Sequence, residues 1–487
     1  MAALGAHRLE GRREVIGKQE ISEFARELSL DLHVVEKDYV LGWLLAGISA
    51  HPDFANSWVF KGGTCLKKCY FETYRFSEDL DFTVTDEAQL DEDYLLQAFR
   101  QIAEWIYEQS GIEIPGEKIR FKLSILDGGR YAEGRIYYVG PLLQKRNLAR
   151  IKFDLTSKEK LVLPPQKRVV HHPYSDCPDD GIHVLSYCFE EVFAEKVRAL
   201  AERERPRDLY DVVHLYRHDE IRPDRSVVLK TLQEKCAFKG IPVPTIESLQ
   251  REDAKIKLAA EWEDMLAHQL PVLPDLDQFW NEIPNIFRWL YGKAEKPSFG
   301  VLAADRPIDN SWQPPAMVYA WRTAVPLESV RFAAANRLCV NLLYQDSWRL
   351  IEPYSLRRSL DGSLLLCAVK HETGESRTYR VDRIQSIEVS KTPFNPRYQI
   401  ELTPAGPLTA PPIHRSATPP RQTVRLRPKD SVGRTAKALT GPTYFFKCPS
   451  CGKQFSKKTY DATLPSHKNK NGFQCFGGFG SLVKTDY

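Results

Sequence analysis

The stretch that most constrains this chain lies between Val59 and Val84 and reads VFKGGTCLKKCYFETYRFSEDLDFTV. An apolar run, Trp58–Phe60, ends in Lys61-Gly62-Gly63-Thr64. Adjacent glycines let the backbone turn tightly and approach a ligand, because no Cβ stands in the way. Cys65–Phe71 has helical character. A strand, a Gly-Gly turn and a helix start together seat phosphate oxygens, with backbone N–H groups and the positive helix end aimed at them. Asp79-Leu80-Asp81-Phe82-Thr83-Val84 follows. Read as a strand, it puts Asp79, Asp81 and Thr83 on one face and Leu80, Phe82 and Val84 on the other. Two carboxylates on one face repel each other, and a hard cation is their natural partner. Mg²⁺ takes one or two carboxylates plus substrate phosphates. Asp-x-Asp alone is an ordinary solvated strand face. Beside a glycine-lined phosphate seat it is the apparatus of phosphoryl or nucleotidyl transfer.

A third acid completes the pattern. Segments Lys118–Leu126, Ile136–Val139 and Ala149–Thr156 read as strands. In the last, alternation puts Arg150, Lys152 and Asp154 on one face and Ile151, Phe153 and Leu155 on the other. Pairing beside Asp79–Val84 would bring Asp154 to the same metal. Helices are expected over Val15–Leu28, over Val34–Ser49 with Val40, Leu44 and Ile48 as a buried stripe, and over Asp91–Gln109. Glu36 and Asp38 read as acids that suit a helix N-terminus. In Tyr187–Tyr216 two helices break near Arg205-Pro206, with Pro206 in the first turn of the second, where its missing N–H costs nothing. Lys196 lies on the first helix, and Arg207, Asp208 and Asp211 lie on the second. Arg207 and Asp211, four apart, face the same way. Asp224–Ala267 and Phe279–Tyr291 look helical.

KGGTCLKK followed by RFSEDLDF resembles the AbiEii family of nucleotidyltransferase toxins of bacterial abortive-infection and type IV toxin–antitoxin systems. That family belongs to the polymerase-β-like nucleotidyltransferases. The EKDY opening at Glu36 and AEKVRAL with RPRDLYDVV resemble further family motifs. The resemblance spans about Val15–Tyr291. It implies an α/β (α+β) fold, a mixed sheet with a helical second half. It implies Asp79 and Asp81 as Mg²⁺ ligands, Asp154 helping to activate the acceptor hydroxyl, and Lys196 with Asp208 or Asp211 serving activity. Lys61, Gly62, Gly63, Thr64, Lys67, Ser77, Lys152 and Arg207 become candidates for holding the NTP. The implied reaction transfers NMP to an RNA end, tRNA foremost, or to a protein, and a cognate antitoxin is an implied partner. Two alternatives stand beside it. One is a phosphotransferase using the same site, with Ser77 as phosphate acceptor. The other is a nucleic-acid-binding regulator whose transferase domain is degenerate.

Beyond Tyr291 the texture changes. Lys296–Pro315 reads as a linker by its Pro, Gly and Asp content. From Val330 to Leu402 the pieces RLCVNLLY, WRLIEPYSL, LLLCAVKH, SRTYRVDRIQSIEVS and YQIEL read as short strands of a small barrel or sandwich. RLIEP, RTYRVDRIQSIEV and FNPRY resemble the WYL domain, an Sm-like barrel of bacterial regulators and defence proteins, although Leu364-Leu365-Leu366 stands where Trp-Tyr-Leu would be. Arg349, Arg377, Arg380 and Arg383 are its candidate ligand contacts or, equally, solvated strand arginines. Pro404–Thr443 is Pro-rich and reads as disordered. Between Pro404 and Lys458 eleven Lys or Arg accompany one acid, Asp430, the electrostatic footprint of a nucleic-acid binder. Cys448-x2-Cys451 followed by Gly-Lys-x-Phe signals a zinc knuckle, with His467 and Cys475 as the second pair.

The expected domains are 1–295, the transferase; 296–325, a linker; 326–403, the WYL-like barrel; 404–443, a basic linker; and 444–487, a Zn²⁺-binding tail. Ten cysteines, scattered except for the pair near the C-terminus, argue for reduced thiols rather than a disulfide framework. The N-terminal MAALGAHRLEGRREVIGKQE is polar, and no apolar stretch approaches the roughly 20 residues of a membrane helix. A cytoplasmic protein without membrane partners is expected.

Overall fold

The computed structural model describes residues 15–71, 74–126, 128–218, 223–312, 326–402, 443–448, 451–457, 462–469, 471–472, 474–475 and 481–486. The expected basic linker, except for Thr443, lies outside the described residues.

The N-terminal half is built on a mixed seven-stranded sheet. Its strands are β1 (Trp58–Lys61), β2 (Asp79–Val84), β3 (Ile119–Leu126), β4 (Gly129–Tyr138), β5 (Ala149–Thr156), β6 (Gln166–Val170) and β7 (Ile182–Ser186). Their spatial order is β3-β4-β5-β2-β1-β7-β6. Helices α1 (Lys18–Leu28), α2 (Leu32–Ala50), α3 (Gly62–Cys69) and α4 (Glu92–Ser110) accompany it, followed by α5 (Phe189–Arg203) and α6 (Pro206–Arg217). Asp31 and Asp91 cap α2 and α4 by accepting from the His33 and Tyr94 amides, which satisfies donors that a helix start leaves orphaned.

One sheet face is closed by apolar packing. Ile119, Phe121, Ile136, Ile151, Phe153 and Leu155 are buried, and Phe99 of α4 meets Phe121 and Phe153 with ring centroids 5.0 and 5.2 Å apart. The expected stripe on α2 understates it: that helix is buried nearly all round, Glu36 and Asp38 included. The two acids are therefore internal, not solvated cap residues. Glu36 Oε1 accepts from the Leu142 amide at 2.7 Å. Asp38 Oδ2 accepts from the fully buried Lys68 Nζ at 2.7 Å, and Lys68 also donates to the Asp38 carbonyl at 2.9 Å. Burial would raise the Asp38 carboxyl, but the lysines at 68 and 67 hold it below its ordinary range. Two strands that the sequence reading did not mark, β6 and β7, extend the sheet beyond β1.

The helical second half follows expectation. Pro206 opens α6 as its first residue, and Arg225–Lys239, Glu252–Leu266 and Ile283–Leu290 are helices. A helix over Leu327–Ala335 was not expected; LESVRFAAA favours one through its alanines and the Glu328–Arg331 pair at 2.8 Å.

The next sheet contains β8 (Leu338–Tyr344), β9 (Ser347–Arg358), β10 (Leu364–Lys370), β11 (Ser376–Arg380) and β12 (Ile384–Pro393), in the antiparallel order β11-β10-β9-β8-β12. It is not the closed barrel expected. β11 has five residues and ends in a 3-10 turn at Val381–Arg383, which diverts the chain; β11 and β12 remain the two edges. YQIEL is not a strand, although the Gln399 and Glu401 amides donate to the Gly300 and Tyr354 carbonyls. Leu302, from the expected linker, packs with Cys339, Tyr354, Cys367, Val369 and Phe394 in this sheet's core.

Pro411–Tyr487 forms a separate unit. Its described residues include a three-stranded sheet of Thr443–Lys447, Gln454–Lys457 and Ser481–Asp486, and a two-stranded one of His467–Lys468 and Gln474–Cys475. Among the described residues no helix is long and apolar enough to cross a membrane.

The Lys68–Asp38 pair yields a stability prediction. Lys68→Met leaves a buried carboxylate without its cation and should cost about 3–5 kcal/mol. Adding Asp38→Asn should recover part of that loss. Urea unfolding of the full chain reads both, and a cost under about 1 kcal/mol for Lys68→Met would contradict it.

Candidate active site and metal centre

The site begins where β1 meets α3. β1 and β2 pair antiparallel with Lys61 opposite Asp81. β2 and β5 pair parallel with Asp81 beside Asp154 and Asp79 beside Lys152. Neighbours in register share a face, so the three acids project to the same side of the sheet. Gly62 has φ +81°, and a Cβ there would come within 2.1 Å of Asp81 Oδ2. At Gly63 a Cβ would come within 2.5 Å of the Arg75 guanidinium and 3.2 Å of Ser77 Oγ. The glycines thus make room for the protein's own polar groups as well as for a ligand.

Lys61, Gly62, Gly63 and Asp81 line a cavity of about 160 Å³ together with Lys196. Tyr187, Glu195 and Arg203 complete its polar wall. Burial pushes Asp81 up to about 6; Lys61 pulls the other way, while Asp154 and Asp79 add to the rise. Asp79 is raised as well, by burial first. Burial pushes Lys61 down to about 8, against Glu195 and Asp81, and its ammonium contacts Glu159. Asp154 accepts from Tyr131 Oη at 2.5 Å and from Lys152 Nζ at 3.0 Å. Carboxylates crowded until they resist ionisation are a donor set suited to a divalent cation.

Lys196 is held from behind. Its Nζ lies 2.7 Å from Asp211 Oδ2 and 3.5 Å from Asp208 Oδ1. Asp211 also takes a bidentate pair from Arg75, at 2.7 and 2.8 Å, and a hydrogen bond from Tyr74. Burial would raise Asp211, but Arg75 and Lys196 hold it far below the carboxylate range. Asp208 is gripped by Arg203 at 2.9 Å. Both acids therefore orient Lys196, and Arg75, which the sequence reading left without a role, is the principal counterion of Asp211. Its signal was the arginine that opens RFSEDLDF.

Other candidates are dispersed. The Thr64 hydroxyl donates to the Asp79 carbonyl at 2.5 Å, which ties α3 to β2. Lys67 is buried with its ammonium 4.8 Å from the centre of the Phe76 ring. Arg207 donates to the Met265 carbonyl at 3.3 Å; Asp211 is engaged by Arg75 and Lys196. In the five-stranded sheet, Arg377 pairs with Glu375 at 2.5 Å and Arg380 with Asp382 at 2.7 Å. Arg349 sits 5.5 Å from the Tyr344 ring centre and donates to the Ser347 carbonyl at 3.2 Å. Arg383 is exposed on the 3-10 turn.

The tail brings its four predicted ligands together. The donor atoms of Cys448, Cys451, His467 and Cys475 lie within 4.8 Å of one another. Cys448 and Cys475 sulfurs are 3.7 Å apart, and Cys451 Sγ is 3.3 Å from His467 Nε2. Thiolates at about 2.3 Å around a tetrahedral Zn²⁺ would be separated by about 3.8 Å. His467 Nδ1 lies 2.8 Å from the Pro465 carbonyl. Donation there leaves Nε2 as the metal-binding nitrogen. Gly452, at φ +76°, turns the chain between the first pair and Lys453.

The family profile described as "Nucleotidyl transferase AbiEii toxin, Type IV TA system" matches residues 43–290, just over half of the chain. The WYL domain profile matches residues 326–389. No curated protein matches the sequence. Among solved structures, the chain is similar to MenT4, a nucleotidyltransferase toxin from Mycobacterium tuberculosis H37Rv, at 18% identity and a TM-score of 0.39, covering 57% of this chain and 90% of that one. JHP933 from Helicobacter pylori is similar at 15% identity and a TM-score of 0.36, with 54% and 94% covered. Proteasome accessory factor B/C of Arthrobacter aurescens is similar at 12% identity and a TM-score of 0.14, with 75% and 74% covered.

The raised Asp81 predicts a stability change of unusual sign. Folded Asp81 keeps its proton to about pH 6, and an unfolded aspartate only to about 4. The metal-free fold therefore loses stability as pH rises through that window, by about 1–3 kcal/mol. Asp81→Asn should raise the metal-free melting temperature at pH 7.5 and flatten its pH dependence. A variant that melts below wild type at pH 7.5 would show that Asp81 is not strained. For the tail, the full chain should carry about one equivalent of Zn²⁺, lost in Cys451→Ser and Cys475→Ser. Elemental analysis finding under half an equivalent in wild type would rule the site out.

Proposed function

Because this chain belongs to the AbiEii family of nucleotidyl transferase toxins and carries a WYL domain, we propose that it transfers NMP from an NTP to the end of an RNA, tRNA foremost. The observation that carries the reading is the β2–β5 register, with Asp81 beside Asp154 and Asp79 on the same face, next to Gly62, Gly63 and Lys196.

Asp79 and Asp81 would hold Mg²⁺, which when bound supplies charge neutralisation on the triphosphate. Lys196, fixed by Asp208 and Asp211, presents its ammonium to the cavity where phosphate oxygens would lie. Lys61 lines the same cavity and would add a second cation. Gly62 and Gly63 would admit the phosphates close to the α3 N-terminus, which a helix start suits to anions. Asp154, oriented by Tyr131 and Lys152, is placed to accept a proton from the acceptor hydroxyl. Ser77 stands at the Gly63 turn and fits a phosphate contact. The tail would hold Zn²⁺ through Cys448, Cys451, His467 and Cys475, as a structural ion that closes a segment with little core of its own. The domain division at 1–295, 326–403 and 444–487 follows from the same reading. As a toxin the protein would act in phage defence, in the cytoplasm, restrained by a cognate antitoxin.

Four α-labelled NTPs, each incubated with Mg²⁺ and bulk tRNA, test the reading. One NTP should label RNA, and Asp79→Ala and Asp81→Ala should each lower the rate at least about a hundredfold, since a metal-holding carboxylate stabilises the transition state by several kcal/mol. Expression of wild type should arrest bacterial growth, and Asp81→Ala should not. Near-wild-type labelling by either variant would overturn the assignment of the acids.

A further inference from the structure

The sheet face that carries the acids does not end at Asp154. Ladder partners share a face, so the register extends it outward strand by strand. Asp154 of β5 pairs with Glu133 of β4, which pairs with Lys122 of β3. Lys152 pairs with Arg135, and Arg135 with Arg120; Arg150 pairs with Tyr137. The opposite face of these strands is covered by α4, whereas Lys122, Arg120, Arg135 and Arg150 are exposed. Near the β3 edge this face folds into a groove of about 460 Å³ lined by Lys118, Arg120, Tyr137, Arg146 and Asn147. Among the described residues Lys118, Arg146 and Arg150 form no ion pair; the acids that pairing adds outside the site are Glu133, already paired with Arg135 at 2.6 Å, and Glu113, bridged to Val139. Solvated charges normally alternate in sign. A surface on which Lys152, Arg135, Arg120, Lys122 and Arg150 outnumber the acids, beginning beside Asp79, calls for a polyanion.

We infer that the outer face of β3, β4 and β5 is the track on which the acceptor nucleic acid lies, its phosphates in the Lys118–Arg120–Arg146 groove and its end at Asp154. This rests on the transferase reading and names where its acceptor binds. Three strand spacings separate β2 from β3, about 14 Å, the rise of about four nucleotides along one strand. An RNA end at Asp81 and Asp154 therefore has its upstream phosphates over the groove. Arginine forks suit phosphate oxygens in bidentate fashion, and the half-buried Tyr137 ring offers a stacking surface for a base. An acidic protein segment would use the charge but not the ring.

Full-length protein is titrated onto fluorescent bulk tRNA in Mg²⁺ without NTP at several salt concentrations. The comparison is the triple variant Lys118→Ala, Arg120→Ala, Arg146→Ala, all exposed positions, with its melting temperature as folding control. The variant should bind roughly tenfold more weakly and lose about two to three from the slope of log affinity against log salt, one phosphate contact per residue. Its NTP affinity should be unchanged. Equal tRNA affinity and equal slope would overturn the track. RNA labelling tells the two readings apart. Wild type that binds tRNA through these residues yet labels nothing sinks the transferase reading and leaves the track. Wild-type and variant labelling of RNA at equal rate under limiting tRNA sinks the track and leaves the reading. Label found on protein instead, with tRNA bound equally by both, also overturns the track.

Discussion

The buried Asp211 carboxylate is the interaction on which the two halves of the transferase domain depend. It sits on α6 and receives Arg75 and Tyr74 from the segment before β2, and Lys196 from α5. Asp211, Arg75 and Lys196 could not be buried alone, because an uncompensated charge in the interior costs several kcal/mol. Two cations sharing one carboxylate are satisfied only if each has further partners. Arg75 finds Gln269 at 3.0 Å, and Lys196 finds Asp208 at 3.5 Å. The knot therefore joins the sheet to the helical half and sets the direction of Lys196 at the same time. Fold and site are fixed by a single network.

The part of this that can be read along the chain is the part carried by strict alternation. Asp79, Asp81 and Asp154 fall on one face by period two, and only the pairing of β2 with β5 had to be supplied. Pro206 marks the α5–α6 break because proline is tolerated at a first turn and not within a helix. The start of the tail's Cys448, Cys451, His467 and Cys475 cluster was legible because a Cys-x2-Cys turn and a Gly-Lys-x-Phe sequence are local. What escaped was non-local or aperiodic. Arg75 lies in a stretch with no regular period, and its partner is 136 residues away. The inner position of Glu36 and Asp38 depends on Lys68 and the Leu142 amide, which no helix periodicity reveals. The open edges of β11 and β12 follow from where a 3-10 turn sends the chain. The basic face of β3, β4 and β5 could not be seen in any one strand, since the charges become a single surface only in register.

α6 also faces the WYL domain. Tyr210 Oη donates to Asn336 Oδ1 at 2.9 Å, and His214 Nε2 lies 3.2 Å from the same oxygen. The Asn336 amide donates to the Phe332 carbonyl at 3.0 Å, and Gln278 donates to the Asn336 carbonyl at 2.6 Å. Asn336 is 1% exposed, so no water can replace these bonds. Burial pushes His214 down to about 3, with Arg217 adding to the fall, so the ring is neutral. Nearby, Glu282 accepts from both Arg217 and Arg337, a second polar clasp between the same two bodies.

This placement couples mechanics to chemistry. The two turns of α6 that bond Asn336 through Tyr210 and His214 also carry Asp208 and Asp211. Tyr74, which donates to Asp211, packs edge-on against His214 at 5.5 Å and tilted against Tyr210 at 5.7 Å. Sliding the Leu327–Ala335 helix along α6 would strand the Asn336 side-chain oxygen and the Tyr210 hydroxyl, at about 1–3 kcal/mol for each buried group left unpaired. Rotating α6 to follow it would instead pull Asp211 from Arg75, which costs more. Either motion is penalised, so the bonds of Asn336 and Asp211 oppose relative movement of the helix, α6 and Lys196. A displacement strong enough to shift the WYL helix must then either break the Asn336 knot or carry the Lys196 ammonium with it.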